Sequence, residues 1–242
     1  MRHKRKFKGL LRLLRTKNES LAQEAVAAVV DLIVHAEHAP PRTIRDDLAR
    51  DRMQALLKLN SPRITDVVLK MLEDGYFAAQ VAPGVAAVIK RGDRARFFEA
   101  LDADRITGTA RNSALNAAFC CAAVFQDMSL CVDLLRRLKP EDDADGDLLT
   151  APMQFQFGLE DALEKLLASK GKQADLITIL GQSRSYSAVR LCIHGLGFVG
   201  DQQAIEVLRR APRIAGPRFG ANTSVSIEGA IDQINRRLGK QK

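Results

Sequence analysis

Residues 187–211, SAVRLCIHGLGFVGDQQAIEVLRRA, constrain the fold more than any other stretch. Val189, Cys192, Ile193, Leu196 and Val199 recur at helical spacing and form one apolar face. Gly200-Asp201 then ends that helix and starts another. Glycine at a helix C′ position takes positive φ without a Cβ clash, and an Asp at the N-cap accepts an orphan N–H of the next turn. Ala204, Ile205 and Leu208 supply the second apolar face. Two amphipathic helices joined by so short a turn must lie antiparallel. Such a pair cannot bury its apolar faces alone.

The same punctuation runs through the chain. Ser20-x-x-Gln23 has the form of a capping box ahead of Val26, Val29, Val30 and Ile33. Pro40-Pro41 forbids continuation of that helix. Ser61-Pro62 reads as an N-cap followed by proline at the first helical position. Asp74-Gly75 and Gly92-Asp93 read as stops, and Asp127 as a further N-cap. Two stretches break the texture and predict loops: the acidic KPEDDADGDLLT of residues 139–150, and PRIAGPRFGANTS of 212–224. No segment alternates with a period of two, so the pattern predicts an all-α chain of antiparallel helices, each about 10–18 residues long.

Gly92-Asp93 and Gly200-Asp201 stand 108 residues apart, three periods of 36, and Asp127 follows Asp93 by 34. A helix-pair period in this range marks an α-solenoid. The unit at 187–211 resembles a HEAT repeat, in the bacterial form also seen in phycobilin lyase-type proteins, through Arg190, Leu196, Gly197, Gly200, Asp201, Ala204 and Leu208. The resemblance is best there, fair over 61–126 and weak elsewhere. It implies a right-handed α-α superhelix of about five to six antiparallel pairs over residues 18–242, with an inner helix layer forming an extended concave surface.

Charge sets residues 1–17 apart. They hold Arg2, Lys4, Arg5, Lys6, Lys8, Arg12, Arg15 and Lys17 and no acid, and the other 29 basic residues balance 29 acids, so the net charge of +8 belongs to this arm. Phe7, Leu10, Leu11 and Leu14 give it an apolar stripe. A basic amphipathic helix can cap the end of the fold, attach to nucleic acid or another anionic surface, or act as a targeting peptide. A second basic group, Arg209, Arg210, Arg213 and Arg218, is compatible with anion binding or with scattered surface charge. No run approaches the length of a membrane span, and no secretory signal pattern follows the basic residues. Cys120, Cys121, Cys131 and Cys192 sit among apolar residues, which suggests reduced thiols and a cytoplasmic setting.

Chemistry-bearing motifs are sparse. His35 and His38 share a helix face but lack a third ligand cluster. His194 lies among apolar neighbours and reads as a packed or edge histidine rather than a catalyst. The carboxylates Asp143, Asp145 and Asp147 miss the frame of a calcium loop and read as solvated. HEAT-like iron hydroxylases carry repeated His-Glu pairs that this sequence lacks, and HEAT-like DNA glycosylases use an aromatic platform that includes Trp, of which the chain has none. The expectation is a non-enzymatic scaffold or adaptor with no catalytic residues, cofactor or metal, binding a protein on its concave face. The alternative is nucleic-acid binding through residues 2–17, with a HEAT-like lyase or glycosylase third.

Overall fold

The computed structural model describes residues 2–34, 42–59, 61–76, 81–143, 158–215 and 220–239. Among these residues there are thirteen α-helices and no strand, so the all-α expectation holds. No described helix is long and apolar enough to cross a membrane. The chain forms two compact units, Met1–Ala118 and Phe119–Lys242.

The first unit contains α1 (Arg2–Leu13), α2 (Glu19–Val34), α3 (Arg42–Leu57), α4 (Ile64–Glu73), α5 (Val81–Lys90), α6 (Arg94–Asp102) and the first part of α7 (Gly108–Phe125). The second unit contains the remainder of α7, α8 (Met128–Arg137), a short 3-10 turn at Pro140–Asp143, α9 (Leu159–Lys170), α10 (Gln173–Gln182), α11 (Tyr186–Val199), α12 (Gln202–Ala215) and α13 (Gly220–Gly239).

In the second unit α8 packs on α9, α10 on α11, α11 on α12 and α12 on α13, and alternate helices also meet: α9 lies on α11, α11 on α13, and α10 on α12. Side-chain rungs fix the directions. Glu160 meets Arg190 and Glu164 meets His194, one turn further along both α9 and α11, so these helices run parallel. A Cβ at Gly197 would come within 3.3 Å of Ala230 Cα, and one at Gly200 within 3.1 Å of Ile234 Cδ1, which makes α11 and α13 parallel as well. In the first unit Asp66 pairs with Arg96 at 2.5 Å and Glu73 with Arg105 at 3.0 Å, so α4 and α6 share a direction. These three alternate pairs therefore align.

One rung recurs in both units. Thr65 donates from its hydroxyl to the Asp93 carboxylate, and Gln173 donates from Nε2 to Asp201 Oδ1 at 2.9 Å, each pair 28 residues apart in sequence. The two rungs are displaced by the same 108 residues that separate the Gly-Asp pairs. The Gln173 amide also accepts from the Asp201 N–H at 2.6 Å, clamping the entry to α12 from the start of α10.

Several local expectations change. Gly200 has φ −71° and needs no positive-φ tolerance. It is glycine because a Cβ there would lie 2.5 Å from the Leu196 carbonyl oxygen and 2.6 Å from Ala204 Cβ. Gly75 and Gly92, with φ of 81° and 82°, do use that freedom. Asp201 and Asp127 cap their helices, but Asp93 makes no side-chain cap and holds Thr65 instead. The start of α2 is capped two residues before Ser20, by Asn18 accepting from the Leu21 N–H at 3.2 Å. Helix α12 runs through Pro212 to Ala215 and α13 begins at Gly220, so the break expected at 212–224 is far shorter. Proline costs α12 only the one hydrogen bond its missing N–H would make near the end of the helix.

The acidic stretch is also partly structural. Asp142 is buried and accepts from the Lys139 N–H at 2.8 Å. Asp143 accepts from the N–H of Tyr186 at 2.7 Å and of Ser187 at 3.3 Å, capping α11 from 43 residues away. Asp145 and Asp147 lie outside the described residues.

Candidate functional site

The basic face of α1 is the first candidate surface. Phe7, Leu11 and Leu14 are buried, Leu10 is half-buried and Leu13 is exposed, so the stripe turns toward α2 along 7, 11 and 14. The Arg52 guanidinium sits 5.7 Å from the centre of the Phe7 ring and donates to the Leu32 carbonyl. The buried Ser61 hydroxyl donates to the Leu14 carbonyl at 2.9 Å, which ties the end of α1 to the start of α4. With the apolar side packed, Lys6, Lys8, Arg12, Arg15 and Lys17 face solvent. Arg2, Lys4 and Arg5 lie on the backbone of α1, but their side chains fall outside the described residues.

The second basic group is only partly brought together. Arg209 and Arg210 are exposed on α12. Arg213 lies on the same helix with its side chain outside the described residues, and Arg218 lies outside them altogether.

A groove that sequence reasoning missed crosses α2, α4 and α6 in the first unit. Its volume is about 360 Å³ and its walls include Gln23, Val26, Ala27, Leu69 and the charged groups of Asp66, Lys70, Glu73, Arg96, Glu99 and Arg105. Three acids face three bases, and most are paired: Asp66 with Arg96 at 2.5 Å, Glu73 with Arg105 at 3.0 Å, and Lys70 with Asp74 at 2.6 Å. Such exposed pairs contribute little to stability, because solvent screening and side-chain ordering offset the attraction. They can exchange for equivalent pairs with a ligand at small cost.

In the second unit, α9 and α11 bring Glu160, Glu164, Arg190 and His194 together. Arg190 Nη1 lies 2.7 Å from Glu160 Oε1, and His194 Nδ1 bonds Glu164 Oε1. His194 is half-buried at the edge of its apolar helix, in keeping with an edge histidine, and its imidazole bonds a carboxylate. The sequence signal was two four-residue spacings, 160/164 and 190/194, offset by 30 residues. Without knowing that α9 and α11 pair, nothing joined them.

The thiols are built for packing. Cys121, Cys131 and Cys192 are buried, Cys120 is half-buried, and all four are thiols outside any disulfide. Burial pushes the Cys131 thiol up to about 12 and raises Cys192 further, with the neighbouring Cys131 adding to the effect. A thiol held protonated is a poor nucleophile. His35 and His38 lie outside the described residues. Compared with known proteins, the chain matches no protein-family model, no curated protein and no solved structure.

Proposed function

We propose that the chain is a non-enzymatic, HEAT-like helical-repeat scaffold that binds a segment of another protein, with the α2–α4–α6 groove as its seat. The repeat reading draws on the aligned alternate helices within each unit and the Thr65–Asp93 and Gln173–Asp201 rungs. The observation that carries the binding reading is the charge balance of the groove. A surface for nucleic acid carries an excess of Lys and Arg to neutralise phosphates; this groove sets three bases against three acids over a floor of Val26, Ala27 and Leu69. That mixture suits a peptide with charges of both signs. The four cysteines, none of them in a disulfide, suit a reducing compartment such as the cytoplasm.

Ala27 is exposed in the groove and gives a clean probe. A photo-crosslinking residue placed there should give one discrete protein adduct in cells, competed by excess wild-type chain and not by Ala27→Arg. An adduct competed equally by both, or none at all, refutes the groove as the seat.

A second reading, phosphodiester binding by α1, has its own observation. The apolar side of α1 is spent on α2, so the helix cannot use Phe7, Leu11 and Leu14 to enter a bilayer, and the charges on its described exposed side, Lys6, Lys8 and Arg12, are all basic. Deleting residues 1–17 is a poor test, since it would uncover core. Reversing Lys6, Lys8, Arg12 and Arg15 to Glu leaves the packing intact. Each phosphate contact contributes about −0.9 to the slope of log K against log salt on duplex DNA, so four contacts give roughly −3.6. Fluorescence anisotropy should show that slope in the wild type and its loss in the variant; equal affinity of the two proteins for duplex DNA and RNA removes this reading.

A further inference from the structure

We propose that Glu160, Glu164 and His194 bind a divalent first-row transition metal on the solvent side of α9 and α11. The two glutamates project from one face of α9, one turn apart, and His194 projects from the parallel α11 toward them. One donor atom from each residue lies within 4.8 Å of the other two. Ligands on a common zinc ion sit about 2.0–2.2 Å from it, hence about 3–3.6 Å from one another. The groups therefore need rotamer adjustments of about 1 Å, not backbone movement.

Three features set this cluster apart from the other rungs between alternate helices. The rungs Asp66–Arg96, Glu73–Arg105 and Arg136–Asp175 each join an acid to a permanent cation. The Glu164–His194 rung instead joins an acid to an imidazole, which offers a lone pair when neutral and is a common metal ligand. Second, two carboxylates face one guanidinium, so with a neutral imidazole the site carries a formal −1. Third, the backbone that holds it is tightly set. Leu163, Leu166 and Leu167 of α9 and Leu191, Cys192 and Ile193 of α11 are buried on either side of the donors. A Cβ at Gly195 would approach Leu167 Cβ to 3.3 Å. The donors themselves remain solvent-accessible, at 23–31% side-chain exposure, so an ion can enter and keep water ligands. An imidazole with two carboxylates suits zinc, iron and manganese alike.

Arg190 is the built-in competitor. Its guanidinium lies 2.7 Å from Glu160 and must share that carboxylate with the ion. Removing it should strengthen binding, whereas an ion-pair rung with no metal role would only lose stability.

Zn²⁺ titrated into the full-length protein by calorimetry tests this. The wild type should bind one ion in a step that His194→Ala and Glu164→Gln each weaken by about tenfold or more and that Arg190→Gln tightens several-fold. Circular dichroism checks the fold of each variant. The wild type also allows a test without substitution: sub-stoichiometric Co²⁺ should broaden the imidazole NMR signals of His194 before those of His3, His35 and His38. Absence of saturable Zn²⁺ binding by the wild type overturns the proposal, even if Arg190→Gln binds. So does an isotherm unchanged by His194→Ala, or Co²⁺ broadening that spares His194.

Discussion

Replacing Gly200 by Ala separates two explanations of the turn between α11 and α12. Were Gly200 there for positive φ, Ala would be strained and Asn partly tolerated. Its φ of −71° and ψ of 159° are open to any residue, so backbone strain contributes nothing. The cost is steric. The added Cβ would sit 2.5 Å from the Leu196 carbonyl oxygen, 2.6 Å from Ala204 Cβ and 3.1 Å from Ile234 Cδ1. Two of these neighbours cannot rotate away, because one is backbone and the other is a Cβ fixed by its helix. Relief therefore requires α12 or α13 to shift, and overpacking of this kind costs about 1–3 kcal/mol.

Removing a glycine also lowers the entropy of the unfolded chain, which returns about 0.4–1 kcal/mol. The net loss is about 1–2 kcal/mol, or a midpoint shift of about 0.5–1 M in urea at a slope near 2 kcal/mol/M. Gly181→Ala is the matched control. Gly181 lies exposed in α10 and an added Cβ meets nothing within 4 Å, so only the favourable term remains and the midpoint should rise. Asn at 200 should be at least as harmful as Ala. Urea unfolding followed by far-UV circular dichroism measures all three. Gly200→Ala matching the wild type, or Gly200→Asn clearly outperforming Gly200→Ala, would refute the close-approach argument.

Further outcomes follow from single contacts. Arg63 holds the Glu19 carboxyl at about 2, below its ordinary 4.5, so this pair favours the folded state above pH 4.5 and ceases to as pH falls toward 2. Glu19→Gln should therefore melt lower than wild type at pH 7, with the gap closing near pH 2; a gap independent of pH contradicts it. Ser61→Ala leaves the Leu14 carbonyl without its buried partner, a loss of about 1–3 kcal/mol, and should speed proteolysis within α1 more than elsewhere. Cys131, held protonated near 12, and Cys192 should resist a thiol reagent at pH 8 that labels Cys120 slowly; rapid labelling of three or four thiols in the native protein would show the burial to be wrong. Asp201 is held below the usual carboxylate range, chiefly by the Gln173 amide, so Gln173→Leu should raise its pKa toward 3.8 as read by carboxyl NMR.

Helix identity was legible because it is a local property. Turn and cap residues placed the start of α8 after Asp127 and the end of α11 before Gly200, as found. Errors fell where a distant group decides the outcome. Ser61 read as an N-cap, and its oxygen does accept from the Arg63 N–H at 3.3 Å, but its hydroxyl also donates to the Leu14 carbonyl, 47 residues earlier, and α4 proper begins only at Ile64. Asp93 looked like the counterpart of Asp201 and in sequence position it is, yet its carboxylate bonds across to Thr65 and leaves its own helix uncapped. Gly200 drew the right residue for the wrong reason, because the tight approach of the Leu196 carbonyl oxygen and Ala204 Cβ comes from the geometry of the turn and not from residue spacing.

The candidate sites divide along the same line. The basic face of α1 was readable, since charge and apolar spacing along one helix fix which side is wet once the other side packs. The groove and the Glu160–Glu164–His194 cluster were not, because each is assembled from alternate helices rather than neighbours in the chain. Yet the offsets that assemble them are regular: 30 residues for Asp66–Arg96 and Glu164–His194, and 28 for Thr65–Asp93 and Gln173–Asp201. In a chain of helix pairs, residues about 30 apart are thus neighbours on alternate helices, as residues four apart are neighbours along one helix. Pairing ionisable residues at that offset would have joined Glu160 to Arg190 and Glu164 to His194 before any coordinates existed. What it could not supply is depth. Whether a pair sits at a wet rim or in a sealed core depends on the side chains of the helix between them, and only the packed structure shows that this cluster stays within reach of an ion from solvent.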